Sequence, residues 1–227
     1  MEEIYLPKVL KECFPNDIAF FSNELEGNDN TELCYGYIRR QNKLCLIEFK
    51  DILLNASIKN STSIDDIKKE LDIKFKSNQK GKPKGVTQLA SAIKKLEQGY
   101  DEIDKGFTSV NNPEIYPIIV YTDNSFGQEG LNAIYRKELN HQLAEFNLKN
   151  LIIQDLVFIN LNFFEMRSHY FNNNSLDFYD MLDKYLEYIK SSKNRLTNFE
   201  VFGRHYTNEN NIVDLPEPEV FSKYVLK

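Results

Sequence analysis

The run from Lys43 to Lys50, K-L-C-L-I-E-F-K, constrains this chain more than any other segment. Alternate residues of a strand face opposite ways, and here both sets are apolar: Leu44 and Leu46 on one side, Cys45, Ile47 and Phe49 on the other. Such a strand has to be covered on both faces, which puts it in the middle of a sheet between two layers. It ends in Glu48 and Lys50, two residues apart and therefore on one face, with Phe49 turned the other way into packing. A carboxylate and an ammonium side by side at the end of a buried strand suit metal-assisted attack on a phosphodiester. The carboxylate holds the ion and the lysine holds the water or the developing charge.

The neighbouring segments supply the layers. Tyr5, Leu6, Val9, Leu10 and Cys13 recur at helical spacing, so a helix opens the chain and stops near Pro15; residues 16–30 read as loop. Leu33 to Arg39 is a second strand, joined to the first run as a hairpin about Arg40-Gln41-Asn42. Ser63 caps a short helix carrying Ile64, Ile67 and Leu71, inside an insertion spanning 55–84. The stripe Val86, Leu89, Ala90, Ile93 and Leu96 predicts a helix from Val86 to Gln98, with Gln88, Ser91 and Lys95 on a polar face. Ile115 to Thr122 is a third strand, in which Pro117 belongs near the start or at an edge. A long helix with Leu131, Ile134, Tyr135, Leu139, Leu143 and Phe146 inward leads to a fourth strand, Ile152 to Ile159. Helices then follow over Phe163 to Phe171 and Leu176 to Ile189, the second capped by Ser175. This order predicts an α/β fold over residues 1–193, with a mixed central sheet flanked by helices on both faces. Residues 194–227, rich in asparagine and aromatics with weak periodicity, form a C-terminal extension that wraps the domain or holds a partner.

A net charge of −6 argues against a protein coated in nucleic acid, because neutralising phosphates takes clustered Lys and Arg. The exception lies between Lys68 and Lys84, where seven lysines face only Glu70 and Asp72. Its polar end, with Gly81, Pro83 and Gly85, reads either as a solvated mobile loop or as a loop tracking phosphates with Lys80, Lys82 and Lys84. The G-x-x-x-x-G-K-[ST] pattern of a P-loop is absent. Cys13, Cys34 and Cys45 lack C-x-x-C spacing and read as reduced, buried thiols. No stretch approaches the roughly 20 apolar residues that span a bilayer. The acidic start M-E-E-I-Y-L-P-K has no apolar core, so the expected location is the cytoplasm.

The strand L-C-L-I-E-F-K, a preceding strand with an upstream acid, and the later segment K-G-V-T-Q-L-A-S-A-I together resemble the PD-(D/E)XK nuclease superfamily, the restriction-endonuclease-like fold, over roughly residues 1–125. The resemblance implies a Mg²⁺-dependent endonuclease, with Mn²⁺ as a substitute, that hydrolyses DNA or RNA in bacterial restriction or anti-phage defence. By it, Glu48 and the main-chain carbonyl of Phe49 are metal ligands, Lys50 orients the attacking water or stabilises the phosphorane, and Gln88 contacts the metal-bound water or a phosphate. No literal Pro-Asp supplies the first acid. A three-residue loop at Arg40 to Asn42 pairs Arg39 with Lys43 and sets Glu32 opposite Lys50; a two-residue turn at Gln41-Asn42 shifts the register by one and leaves Asp29. The first register, and with it Glu32, is preferred. With no reading module visible, recognition falls to a partner protein, and a homodimer would bring two sites to two strands. The alternative is an inactive subunit of the same fold that binds a partner protein or nucleic acid. Glu12, the pairs Glu165/His169 and Glu138/His141, and Asp123, read as a loop cap, are weaker candidates.

Overall fold

The computed structural model describes residues 4–26, 33–108 and 112–212. Six strands form one open, mixed sheet: β1 (Ile18–Phe21), β2 (Gly36–Arg40), β3 (Lys43–Lys50), β4 (Glu114–Tyr121), β5 (Ile152–Ile153) and β6 (Val157–Asn160). β1, β2 and β3 are antiparallel neighbours, whereas β4 runs parallel to β3 and both β5 and β6 run parallel to β4. A parallel pair requires a crossover. Between β3 and β4 the chain accordingly makes α2 (Ala56–Lys59), α3 (Ile64–Phe75) and α4 (Val86–Glu97). After β4 come α5 (Leu131–Ala144), α6 (Leu161–Glu165), α7 (Ser168–Asn172), α8 (Phe178–Lys190) and α9 (Phe199–Glu209), which with α1 (Tyr5–Cys13) make nine α-helices among the described residues.

β3 is buried on both faces, as its composition requires. Leu44 and Leu46 enter one core with Phe75, Leu89, Ile93 and Tyr135, while Cys45, Ile47 and Phe49 enter the other with Leu10, Phe164, Phe178 and Tyr185. Each such aliphatic or aromatic side chain contributes about 1.5–3 kcal/mol on full burial. The three cysteines are buried thiols. No helix among the described residues is long and apolar enough to cross a membrane.

The hairpin register differs from the preferred expectation: Arg40, not Arg39, pairs with Lys43, through a two-residue turn in which Gln41 takes φ 53°. Ion pairs on the two faces of β2 hold this register. Tyr37 and Arg39 point to one face, where both bind Asp104; Arg40 points to the other, where it binds Asp17 and Asp177. A one-residue slip would carry each of these groups to the face without its partner.

Pro117 lies inside β4, a central strand, and not near its start or at an edge. Pro113 O accepts Ile152 N and Ile115 O accepts Gln154 N, so residues of that parity aim their backbone groups at the β5–β6 side. Pro117 shares the parity and faces the interval between β5 and β6, where no ladder partner exists. The expected single strand Ile152 to Ile159 is split at that interval, and no donor is lost. The remaining differences are local. Residues 18–21, expected as loop, form the edge strand β1; Phe163 to Phe171 divides into α6 and α7; α8 is capped by Asp177, whose Oδ1 accepts Tyr179 N at 2.9 Å, in place of Ser175. α9 was not anticipated, and its Phe199 joins the core on the Phe49 side.

Asp104 is 7% exposed and forks onto Arg39, Nε to Oδ2 at 2.6 Å and Nη2 to Oδ1 at 3.1 Å, while also accepting Tyr37 OH at 2.8 Å. Burial pushes its pKa up, but the hydrogen bonds from Arg39, Tyr37 and Gly106 outweigh burial and hold it below the usual aspartate value. Its contribution to stability is therefore complete above about pH 3.9, the ordinary aspartate pKa, and is lost as pH falls through the folded-state value. Asp104→Ala should cost about 2–4 kcal/mol at pH 7 by denaturant unfolding, because it strands a half-buried guanidinium and a buried phenol. The variant should also lose this component of the acid destabilisation below pH 4.

Candidate active site

The parallel ladder carries β3 to its last two charges without a break: Glu48 lies beside Ile119 and Lys50 beside Tyr121. Glu48 is 3% exposed and Lys50 8%. Phe49 turns to the opposite core, its ring 5.5 Å from that of Tyr35. On the other face Lys50 Nζ stands 3.2 Å from Glu48 Oε2 and 3.4 Å from Gln88 Oε1. The acid, the base and the amide singled out in the sequence thus meet at one point.

Gln88 reaches Lys50 because of how α4 begins. Its Oε1 turns back to accept Gly85 N at 2.8 Å, satisfying one of the amides that a helix N-terminus leaves open. Gly85 itself has φ 42°, a backbone conformation that L side chains rarely adopt. A Cβ there would stand 2.9 Å from Phe75 O and 3.4 Å from Lys50 Cε. Only a glycine lets the loop pass between the end of α3 and the lysine. The motif K-G-V-T-Q carried this signal, although the sequence placed Gly85 merely in a loop.

The basic segment leading into Gly85 is not a loose loop. Asn78 Oδ1 accepts both Lys80 N and Lys82 N, Asn78 N donates to Lys82 O, and Lys84 N donates to Lys76 O at 2.9 Å. Lys80 and Lys82 are exposed and Lys84 is half-buried. Three cations therefore ride on a pinned turn that ends at the site.

Asp29 and Glu32 lie outside the described residues; the hairpin register that favoured Glu32 is not the one observed. No group of three or more His, Cys, Asp or Glu that could hold a metal occurs among the described residues. Glu12 sits on α1, whose buried residues join the core on the Phe49 side of the sheet. Glu138 is engaged by Lys76 at 2.8 Å and by Gln142, and Glu165 accepts Tyr5 OH at 2.6 Å. Asp123 is a loop cap, accepting Ser125 N and Leu54 N, both at 2.9 Å, and pairing with Lys59. Burial raises its pKa, yet these bonds together hold it well below the carboxylate range.

Comparison with family models, with curated proteins and with solved structures finds no match for this chain.

Gly85→Ala forces either φ or the Phe75 carbonyl to move. It should lower stability by about 1–3 kcal/mol, measured by denaturant unfolding.

Proposed function

We propose that this chain is a metal-dependent nuclease that hydrolyses phosphodiester bonds in DNA or RNA, its sheet arranged in the manner of restriction endonucleases. One observation carries the reading: an acid and a lysine, both nearly sealed from solvent, end a doubly buried strand, and the lysine meets a glutamine from α4. Charged side chains are almost never buried unless paired or coordinating, and a buried ion pair contributes little net stability. Such a pair is better explained by chemistry than by folding.

In this reading Lys50 holds the attacking water or the charge that builds on the phosphate, for which its compact ammonium suits it. Glu48 keeps that ammonium in place at 3.2 Å, and Gln88 fixes it from the side. The residues present fit a hard cation. Glu48 and the Phe49 carbonyl are oxygen donors, and Mg²⁺ keeps several waters while binding through one or two carboxylates; with the two-residue hairpin turn, Asp29 rather than Glu32 would supply the second. A bound Mg²⁺, or Mn²⁺ in its place, would polarise the phosphate and lower the pKa of water. Lys80, Lys82 and Lys84, on the turn that ends at Gly85, offer the strand its phosphate contacts within an acidic protein. A cytoplasmic role in bacterial restriction or anti-phage defence follows from the resemblance to PD-(D/E)XK nucleases, with recognition supplied by a partner protein or a second copy of the chain.

A second reading has its own observation. With no three-acid group among the described residues, the same fold would serve as an inactive subunit holding a partner protein or nucleic acid. Cleavage of plasmid and single-stranded substrates in Mg²⁺ or Mn²⁺ separates the two. Wild type should cut, and Lys50→Ala and Glu48→Ala should each lose at least about 100-fold in rate. Cutting that persists in both variants, or none by wild type in either metal, would reject the nuclease.

A further inference from the structure

α5 carries Tyr135, Glu138 and Gln142 on one face, spaced three and four residues apart. Each holds a different point of the chain that leads into the candidate active site. Tyr135 OH donates to Asp72 Oδ1 at 3.0 Å, in the last turn of α3. Glu138 Oε1 receives Lys76 Nζ at 2.8 Å, where the basic turn begins, and Gln142 Nε2 at 2.8 Å. Gln142 Nε2 also donates to Thr87 Oγ1 at 3.1 Å, in the first turn of α4 and one residue before Gln88. Burial raises the Glu138 pKa, but the bonds from Lys76 and Gln142 bring it below the ordinary glutamate value, so it stays ionised at neutral pH.

Between these anchors the basic turn folds back on itself. Ser77 pairs with Pro83 in antiparallel sense, Lys84 N donates to Lys76 O at 2.9 Å and Asn78 N donates to Lys82 O at 2.9 Å. In that register Lys76 lies opposite Lys84, and like charges so placed repel. The Glu138 carboxylate answers Lys76 from outside the turn. Lys82 and Lys84 flank Pro83, so alternation sends both to one face, and Lys80 stands exposed near the tip. The helices do not need this ladder to stay together: α3, α4 and α5 already share a core through Phe75, Leu89, Ile93, Tyr135 and Leu139. A partly exposed ion pair such as Lys76 with Glu138 adds little to stability. What the ladder fixes in addition is the cationic segment between the helices.

We propose that Tyr135, Glu138 and Gln142 are positioning residues, by which α5 holds Lys80, Lys82 and Lys84 in register with Lys50 for the phosphates of one nucleic-acid strand. The inference deepens the nuclease reading and rests on it for the identity of the ligand. Cations on a fixed backbone meet phosphates without the loop first losing its conformational freedom, so anchoring raises affinity without adding a contact. The link to the site is direct: Gly85 N, where the turn ends, is held at 2.8 Å by Gln88 Oε1, the atom that also meets Lys50.

Affinity and contact number separate in the salt dependence of binding to a fluorescein-labelled single-stranded oligonucleotide, measured by anisotropy on the full chain without divalent metal. The slope of log K against log salt counts phosphate contacts, about 0.7 for each on a single strand. Lys82→Ala should reduce the slope by about that amount. Tyr135→Phe, Gln142→Ala and the joint change of Lys76→Met with Glu138→Gln each remove an anchor and leave the net charge unaltered. Each should weaken binding by about 2- to 10-fold, the worth of one hydrogen bond, with the slope kept. Lowered stability to denaturant with K unchanged in all three overturns the proposal in favour of a purely structural ladder. A slope reduced in Tyr135→Phe or Gln142→Ala overturns it in favour of direct contact. A slope unchanged in Lys82→Ala, or no binding by wild type, removes the ligand and overturns it as well. Hydrolysis in Mg²⁺ is read separately: a protein that binds as expected but never cuts keeps the positioning role and rejects the nuclease, and one that cuts while all three variants bind like wild type does the reverse.

Discussion

Lys50 and Glu48 are held 3.2 Å apart at the end of a strand whose other side chains lie in two cores, and the rest of the architecture follows from accommodating them. Taking two such ions out of water costs several kcal/mol each, and their mutual attraction repays this only with good geometry and further hydrogen bonds. The fold supplies those bonds locally. Gln88 reaches Lys50 because α4 starts at Gly85, and α4 starts there because Gly85 alone adopts φ 42° against the Phe75 carbonyl. The crossover between β3 and β4 thus connects two parallel strands and also delivers the third polar group to the pair.

The charges elsewhere are arranged so that the site is not swamped by a protein of net charge −6. Arg39 and Arg40 are consumed by Asp104, Asp17 and Asp177, on opposite faces of β2. Asp123 is neutralised by Lys59 and two amides. Beside the site Lys80 and Lys82 stand exposed on the pinned turn, and Asp51, directly after Lys50, is exposed as well. Local placement, and not overall charge, sets which ligand such a surface can hold.

Much of this was legible in the sequence where one physical signal dominated. β3 has the bounds its doubly apolar pattern implied, α1 and α4 follow their stripes, and Ser63 caps α3. Period two puts Glu48 and Lys50 on one face, whereas Gln88 joins them because α4 starts at Gly85. The hairpin register was not legible, since β3 is apolar on both faces and so accepts either alignment; Asp104, sixty-five residues from Arg39, decides it. β1 is four residues at a sheet edge, too short for a periodic signal. Pro117 lacks a donor and so reads as a residue for a strand start or an edge, whereas the split between β5 and β6 gives it a place where none is needed.

The central claim is that the end of β3 binds a divalent cation through Glu48. Calorimetric titration of Mn²⁺ into wild type and Glu48→Ala tests it without requiring the substrate. The account predicts one site per chain in wild type, weakened by at least about tenfold in Glu48→Ala, the loss expected when a carboxylate ligand is removed. Equal binding by the two proteins, or none by wild type, would contradict it.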